Sequence, residues 1–156
     1  MPPEVEIRVL HANDVAWMRG MLSMFGLAFD DEATYTSKQP DDAYLVRLLS
    51  NPDFIAIAAI GNGLVVGGLA AYVLTKFERA RSEVYIYDLA VEEGSRRRGI
   101  ATALIRAVQK ESNARGAWVV FVQADREDAA ALALYTKLGV REDVVHFDIH
   151  PAEGAT

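Results

Sequence analysis

The first part of the chain alternates between strand-like and helix-like spacing of apolar residues. The stretch from Glu4 to Val9 alternates polar and apolar residues, which predicts a half-buried strand. Beyond Asn13, which we expect to cap a helix, apolar residues recur at helical spacing at Val15, Met18, Leu22 and Phe25. A polar, irregular stretch from Gly26 to Gln39 follows, and Pro40 opens a second predicted helix that ends at Asn51-Pro52.

Three apolar runs in the middle of the chain predict strands. The runs from Phe54 to Ile60 and from Leu64 to Leu74 are joined by Gly61-Asn62-Gly63. Glycine and asparagine tolerate the positive φ angles of a tight turn, so an antiparallel hairpin is predicted. The third run, Glu83 to Val91, is rich in Val, Ile and Tyr and predicts a further strand.

The last part of the chain alternates helices and strands. A helix is predicted from about Gly99 to Arg115, and a buried strand from Trp118 to Ala124. A helix from Asp128 to Leu138 and a last strand from Val140 to Ile149 complete the pattern. The order β-α-α-β-β-β-α-β-α-β indicates one α/β domain over residues 1–156, with a mixed sheet and helices on both faces.

Composition narrows the class of protein. The chain has 156 residues, is 51% hydrophobic and 24% charged, and so has enough apolar material for a well-filled core. It contains no cysteine, which excludes disulfides and thiolate metal sites. A formal net charge of −6 argues against a nucleic-acid partner. With neither a signal peptide nor an apolar run long enough for a bilayer, we expect no membrane association and a cytoplasmic location.

The charges are unevenly distributed. The segment from Gly94 to Arg115 carries six basic residues against the single acid Glu111. The segment from Leu27 to Leu45 carries five acids against Lys38. This separation predicts an anionic partner and a cationic partner bound at different places, although solvated surface charge explains it equally well.

The segment from Leu89 to Ala101 is the most informative for chemistry. It predicts a strand end, a loop with three consecutive arginines, and a helix that starts at Gly99. Backbone N–H groups at a helix start are unpaired and the helix dipole is positive there, so a phosphate can bind to them. Arginines add charge-assisted hydrogen bonds to phosphate oxygens. We therefore expect pyrophosphate binding at Arg96, Arg97, Arg98, Gly99, Ile100 and Ala101.

Other sites that bind phosphate or metal are not supported. The glycines at 61, 63 and 67 lie in a predicted hairpin and open no helix, unlike a dinucleotide fingerprint. His146 and His150 would be about 13 Å apart on a strand, too far for a shared metal. We expect no metal site.

At this point the sequence resembles a known family. Arg96-Arg97-Arg98-Gly99-Ile100-Ala101 matches the acetyl-CoA motif of the GNAT N-acetyltransferases, (Arg/Gln)-x-x-Gly-x-(Gly/Ala). The stretch from Ala131 to Val140 resembles the second motif of that superfamily, Ala-x-x-Leu-Tyr-x-Lys-x-Gly-Phe. The two motifs occur in the expected order, and the predicted elements match the superfamily fold over the whole chain.

A narrower resemblance is to the type I aminoglycoside 3-N-acetyltransferases, the gentamicin acetyltransferases. It is carried by Ala71-Tyr72-Val73-Leu74, Tyr85-Ile86-Tyr87-Asp88-Leu89-Ala90-Val91, His146-Phe147-Asp148-Ile149 and Ala33-Thr34-Tyr35. The resemblance implies direct transfer of acetyl from acetyl-CoA to an amine of an aminoglycoside. It also implies a role in antibiotic resistance.

The resemblance assigns roles to residues on the acetyl-CoA side. The backbone N–H groups of Leu89, Ala90 and Val91 would hold the pantetheine and the acetyl oxygen. Tyr135 matches the family tyrosine that protonates or hydrogen-bonds the departing sulfur, with a buried core tyrosine as its alternative. Asp128 stands where the family often has asparagine, so it either contacts CoA or only caps its helix.

The amine side of the reaction needs a base and carboxylates. Asp88 is our first choice as base, because it interrupts an apolar strand beside the expected acetyl site, where an unpaired carboxylate is costly. A structural role for Asp88, Asp125 as base, and a base acting through water stay open. Substrate contacts are predicted for a mostly acidic set of side chains, each of which could instead be solvated: Asp31, Glu32, Tyr35, Glu83, Tyr85, Asp125 and Asp148.

Two rival functions remain open at the sequence level. The same chemistry could act on a polyamine, an amino sugar, or a protein N-terminus or lysine. A non-catalytic acyl-CoA-binding domain is the alternative of a different class. A homodimer could form if the apolar segment from Val144 to Ile149 pairs or packs across a two-fold axis.

Overall fold

The larger part of the molecule is built around one five-stranded sheet, whose strands lie side by side in the order in which they occur along the chain. The computed structural model describes residues 4–152, which fall into two units that divide between Gln123 and Ala124 and are described separately below. The strands of the first unit are β1 (Val5–Val9), β2 (Phe54–Gly61), β3 (Leu64–Thr75), β4 (Ser82–Val91) and β5 (Ala117–Val122). Its helices are α1 (Val15–Ala28), α2 (Glu32–Tyr35), α3 (Asp42–Ser50) and α4 (Ile100–Ala114).

The sheet is mixed, as predicted. Strands β1 to β4 pair antiparallel in chain order, and β4 pairs parallel with β5. The predicted hairpin between β2 and β3 is confirmed, and its turn contains Asn62 and Gly63 at φ 52° and 75°. Helix α4 is the crossover from β4 to β5, which is why these two strands run parallel.

Both faces of the sheet are covered by helices. Strand residues Ile57, Leu69 and Ile86 pack in one apolar cluster with Leu104 and Val108 of α4. On the opposite face, alternate strand residues pack with α1 and α3 in a second cluster that contains Ala56, Ala58, Met21, Phe25 and Leu45. The α/β fold class is confirmed.

Adjacent glycines in β3 allow the helices of both layers to come close to the sheet. A Cβ at Gly68 would lie 2.5 Å from Cγ of Met21 in α1. A Cβ at Gly67 would lie 3.1 Å from Ile100 Cγ2 in α4. Because side chains alternate across a strand, Gly67 lets α4 approach one face of the sheet and Gly68 lets α1 approach the other.

The starts of the first three helices differ in detail from the sequence expectation. Asn13 lies inside a 3₁₀ turn, Ala12–Asp14, and is therefore not the cap of α1. The stretch expected to be irregular contains the short helix α2, capped by Asp31. Helix α3 starts at Asp42, and the carboxylate of Asp41 accepts a hydrogen bond from the Tyr44 N–H at 2.9 Å.

The second unit contains helix α5, Ala129–Leu138, whose predicted start and end are confirmed. The prediction of a last strand from Val140 to Ile149 is wrong: no residue of that described stretch is in a strand. Its apolar side chains are exposed, Phe147 at 77% and Ile149 at 88%. Alternating apolar residues favour a strand, but a ladder forms only when the backbone groups meet a neighbouring strand.

Within residues 4–152, no helix combines the length and the apolar character needed to cross a bilayer.

Candidate functional site

The loop between β4 and α4 has the backbone form predicted for a phosphate site. Helix α4 begins at Ile100, and Gly99 precedes it with φ 76°. Arg97 also has a positive φ of 63°. The side chain of Ile100 is 5% exposed and packs in the apolar cluster beneath α4, which fixes the start of the helix against the sheet.

Two hydrogen bonds hold the loop in place. The buried Ser95 hydroxyl donates to Glu92 Oε1 at 2.7 Å. The Nε of Arg96 donates to the Val91 carbonyl at 3.0 Å, so this side chain braces the end of β4. The side chains of Arg97 and Arg98 are exposed. A helix N-terminus with arginines beside it fits the phosphates of CoA.

Strand β4 has an open edge next to this loop. It pairs with β3 as far as Val91, but with β5 only from Ser82 to Ile86. Among the described residues, the edge of β4 from Tyr87 to Val91 that faces away from β3 therefore has no paired strand. Because N–H groups alternate along a strand, every second one points to this edge, where the pantetheine was expected.

A β-bulge in β4 changes which face of the sheet the side chains point to, just before Asp88, the candidate base. Ala71 pairs with Ile86 and Ala70 with Asp88, so Tyr87 is the extra residue. Before the bulge, Val84 and Ile86 face the α4 layer. After it, Ala90 faces the α1 layer, and Asp88 shares its face by alternation.

The half-buried carboxylate of Asp88 is bonded to a tyrosine from the first long loop. The Tyr35 hydroxyl donates to Asp88 Oδ2 at 3.0 Å. Burial raises the pKa of Asp88, and the bond from Tyr35 lowers it by a smaller amount. The pKa of Tyr35 is raised, first by burial and then by the negative charge of Asp88. The carboxylate can accept a proton more readily than a solvated aspartate.

Two of the other predicted substrate residues of the first unit, Asp31 and Glu83, have structural partners. Asp31 caps α2 by accepting from the Thr34 N–H at 3.2 Å, while Glu32 is exposed in that helix. Glu83 accepts from Trp118 Nε1 at 3.1 Å and lies 3.9 Å from Lys76 Nζ. The structure thus brings Tyr35 to Asp88, and it engages Asp31 and Glu83 in contacts within the protein.

Tyr85 lies two residues before the bulge, and its hydroxyl donates to Gln123 Oε1 at 2.8 Å. Its ring stacks on Phe121 of β5 with 4.7 Å between centroids. Sequence reasoning missed Gln123, Ser95 and the ring partners of Tyr85. Only the alternation of Tyr85 and Tyr87 in β4 signalled that aromatic side chains share a face.

In the second unit, Asp128 caps α5 by accepting from the Ala131 N–H at 3.1 Å. This contact supports the capping role that the sequence left open for it. Tyr135 lies in the same helix, and burial, with the nearby Asp128 charge, raises its pKa to about 12. Its hydroxyl therefore keeps its proton near neutral pH and can donate it.

The remaining predicted residues of this unit are exposed. Asp125 precedes α5, and its carbonyl accepts from the Asp128 N–H at 3.1 Å. Asp148 lies 2.9 Å from His146 Nε2. Across residues 4–152, no group of three or more His, Asp or Glu side chains is arranged to hold a metal ion.

Comparison with known proteins places this geometry in context. The model of the acetyltransferase (GNAT) family matches residues 21–140. An aminoglycoside acetyltransferase from an uncultured soil metagenomic sample is 56% identical, with 96% of this chain and 99% of that chain covered, at a TM-score of 0.93. A second soil aminoglycoside acetyltransferase, solved with sisomicin, is 32% identical over 95% of this chain and 97% of its own, with a TM-score of 0.86.

Curated relatives are matched over a shorter stretch. The ribosomal protein bS18 alanine N-acetyltransferase of Escherichia coli K12 is 28% identical over 85 residues, 54% of this chain and 56% of the relative. The chain thus spans about half the length of the curated relatives it matches. The family match includes both the arginine loop and helix α5. The chain belongs to the GNAT acetyltransferase family.

Proposed function

We propose that the chain transfers acetyl from acetyl-CoA to an amine of an aminoglycoside, and that the amine is the 3-amino group of a 2-deoxystreptamine ring, as in gentamicin. The observation that carries the proposal is the half-buried carboxylate of Asp88, bonded to Tyr35 at 3.0 Å and located in the segment of β4, Tyr87 to Val91, whose edge is open. A base and the binding edge for the acyl donor therefore lie in the same segment of one strand.

On the cofactor side, the start of α4 and Arg97 and Arg98 would bind the CoA phosphates, with Arg96 bracing the loop. The N–H groups among Leu89, Ala90 and Val91 that point to the open edge would orient the pantetheine and the acetyl carbonyl. Acetyl-CoA, the co-substrate of the family, would supply the acetyl group as a thioester. A side-chain substitution cannot directly remove these backbone donors.

On the amine side, Asp88 would remove the proton of the substrate ammonium group, since its raised pKa makes it a stronger base than a solvated aspartate. Tyr135, which stays protonated, would donate to the departing sulfur. Other ammonium groups of the substrate are proposed to contact the carboxylates of Asp31, Glu32, Glu83, Asp125 and Asp148. Asp31 and Glu83 would have to bind an ammonium group while they keep the hydrogen bonds that they already accept.

The similar solved proteins support an aminoglycoside as the amine. The two soil proteins are described as aminoglycoside acetyltransferases, and one of them was solved with sisomicin. It was also solved with trehalose, a disaccharide without amino groups. A cytoplasmic location, a role in resistance and a homodimer belong to the same proposal.

A second function is favoured by a specific observation. The curated relatives are described as alanine N-acetyltransferases of ribosomal protein bS18. An alanine N-terminus is also an amine, so the same residues could serve it. The choice of substrate therefore needs a direct assay.

The test is thiol release from acetyl-CoA with gentamicin, sisomicin, spermidine, glucosamine phosphate and a peptide with an N-terminal alanine. We expect fast release with the two aminoglycosides and a single acetylated amine, located at position 3 by NMR of the product. Release only with the peptide would replace the aminoglycoside by a protein N-terminus. Binding of acetyl-CoA without release for any amine would favour a non-catalytic module.

A further inference from the structure

Five aromatic rings form a continuous row across four strands of the first unit. Phe54 of β2 lies 5.4 Å from Tyr72 of β3, measured between ring centroids. Tyr72 lies 5.9 Å from Tyr87 of β4, and Tyr87 lies 5.6 Å from Tyr85. Phe121 of β5 closes the row at 4.7 Å from Tyr85. We call these five residues the aromatic row.

The row is most exposed in its middle, and its two ends are buried or only partly exposed. Phe54 at one end is 6% exposed and packs in the apolar cluster with α1 and α3. Tyr72 and Tyr87 in the middle are 41% and 61% exposed. Adjacent aromatic rings that stay in water give up the free energy that their burial would provide, so such a surface is typical of a binding site.

The bulge in β4 is the reason that the rings meet a carboxylate. Without the extra residue, Tyr87 and Asp88 would point to opposite faces of the sheet. With it, Tyr87 contacts the rings on both sides of it while Asp88 reaches Tyr35. Exposed aromatic rings, with Tyr72 and Tyr87 meeting edge to face at 89°, and a negative charge therefore share one face of the sheet.

The charge of Asp88 is felt by the row as well as by Tyr35. Burial is the first cause of the raised pKa of Tyr72 and of Tyr85; the charge of Asp88 is the second cause for Tyr72 and follows Tyr87 for Tyr85. Both phenols are therefore neutral at physiological pH. Rings with neutral hydroxyls present a negative π face to a cation.

We propose that the exposed rings of Tyr72 and Tyr87 form a stacking subsite for a pyranose ring that carries an ammonium group, next to the carboxylate of Asp88. The inference rests on the proposed function and adds the residues that select an amino sugar among amines. The C–H face of a pyranose packs on an aromatic ring, and an ammonium group is attracted both to the π face and to the carboxylate. A polyamine offers the charge but no ring face.

The test compares three variants of the whole chain by calorimetric titration with sisomicin in the absence of acetyl-CoA. Tyr87→Leu removes the most exposed ring of the row. Tyr87→Phe keeps the ring and removes only the hydroxyl. Phe77→Leu is the matched control, because Phe77 lies between β3 and β4, is 98% exposed and is outside the row.

We expect Tyr87→Leu to raise the Kd for sisomicin about tenfold, which corresponds to about 1.4 kcal/mol. Tyr87→Phe and Phe77→Leu should stay within about twofold of the original protein, a change of less than about 0.5 kcal/mol. In Tyr87→Leu, the Kd for spermidine should change less than the Kd for sisomicin, since spermidine has no sugar ring that could pack on the tyrosine. Thermal melting monitors the fold, and Tyr72→Leu repeats the measurement at the neighbouring ring.

Three results overturn the inference: equal sisomicin affinity in Tyr87→Leu and Phe77→Leu, equal weakening for sisomicin and spermidine, or no sisomicin binding by the original protein. The proposed function is judged separately, by thiol release. If Tyr87→Leu loses sisomicin affinity as expected but the original protein acetylates no aminoglycoside, the subsite stands and the proposed reaction fails. If acetylation occurs and the ring loss has no effect, the reaction stands and the subsite fails.

Discussion

The hydroxyl of Tyr35 donates a hydrogen bond of 3.0 Å to Oδ2 of Asp88, across 53 positions of sequence. Tyr35 ends the short helix α2, and Asp88 follows the bulge of β4. The bond stabilises the charged form of a carboxylate that burial makes harder to ionise. The loop after α1 thereby influences the proton affinity of the proposed base.

Replacing Tyr35 by phenylalanine should move the pH profile of the reaction. The base must be deprotonated to work, so kcat/KM falls as the pH drops below the pKa of Asp88. Removing the hydrogen bond that lowers this pKa raises it, and the acid limb should move to higher pH. A profile measured with saturating acetyl-CoA checks this. An acid limb that stays in place, or moves to lower pH, would contradict the coupling.

Replacing Asp88 by asparagine should lower kcat roughly 100-fold or more, the usual contribution of a general base. The amide keeps the size and can still accept from Tyr35, but it cannot take a proton. The Kd for acetyl-CoA should change little, since the phosphate loop is untouched. Asp53→Asn provides a matched exposed control. Normal turnover in Asp88→Asn would remove this residue from the mechanism.

Replacing Gly99 by alanine should weaken acetyl-CoA binding by disturbing the start of α4. The residue has φ 76°, a conformation that costs an L-residue about 1–2 kcal/mol. We expect the KM for acetyl-CoA to rise by about tenfold, which corresponds to about 1.4 kcal/mol, near the middle of that range. Gly94→Ala is the control, because Gly94 lies in the same loop, has no positive φ and has open space at its Cβ. Equal kinetics for both variants would show that the left-handed turn is dispensable.

Replacing Gly68 by alanine should destabilise the first unit. The new Cβ would lie 2.5 Å from Cγ and 2.6 Å from Sδ of Met21, a residue that is fully buried. Overpacking of this kind costs about 1–3 kcal/mol. Gly61→Ala is the matched strand control, because its Cβ would make only ordinary contacts at 3.7 Å. Chemical denaturation measures the free energy of unfolding of each variant, and Gly68→Ala should be clearly less stable than Gly61→Ala.

Much of the fold and of the cofactor side could be predicted from the sequence, because those features depend on local patterns. Alternation in β4, the turn at Asn62-Gly63 and the glycine before α4 are each determined by neighbouring residues. The arginine loop and α5 occur where the sequence placed them, and the family they indicated is the one that the chain belongs to.

The arrangement of the residues proposed for the amine side could not be predicted from the sequence, because it depends on the tertiary structure. No local pattern in β4 reveals that Tyr87 is an extra residue, because a bulge is defined by its pairing with Ala70 and Ala71 of β3. The bond from Tyr35 to Asp88 and the aromatic row likewise join residues that are distant in sequence. The strand expected at Val140 to Ile149 is absent for the same reason. The sequence by itself determined local geometry and the residue types available for chemistry. Only the tertiary structure decided which of them meet, since that depends on the pairing of distant segments.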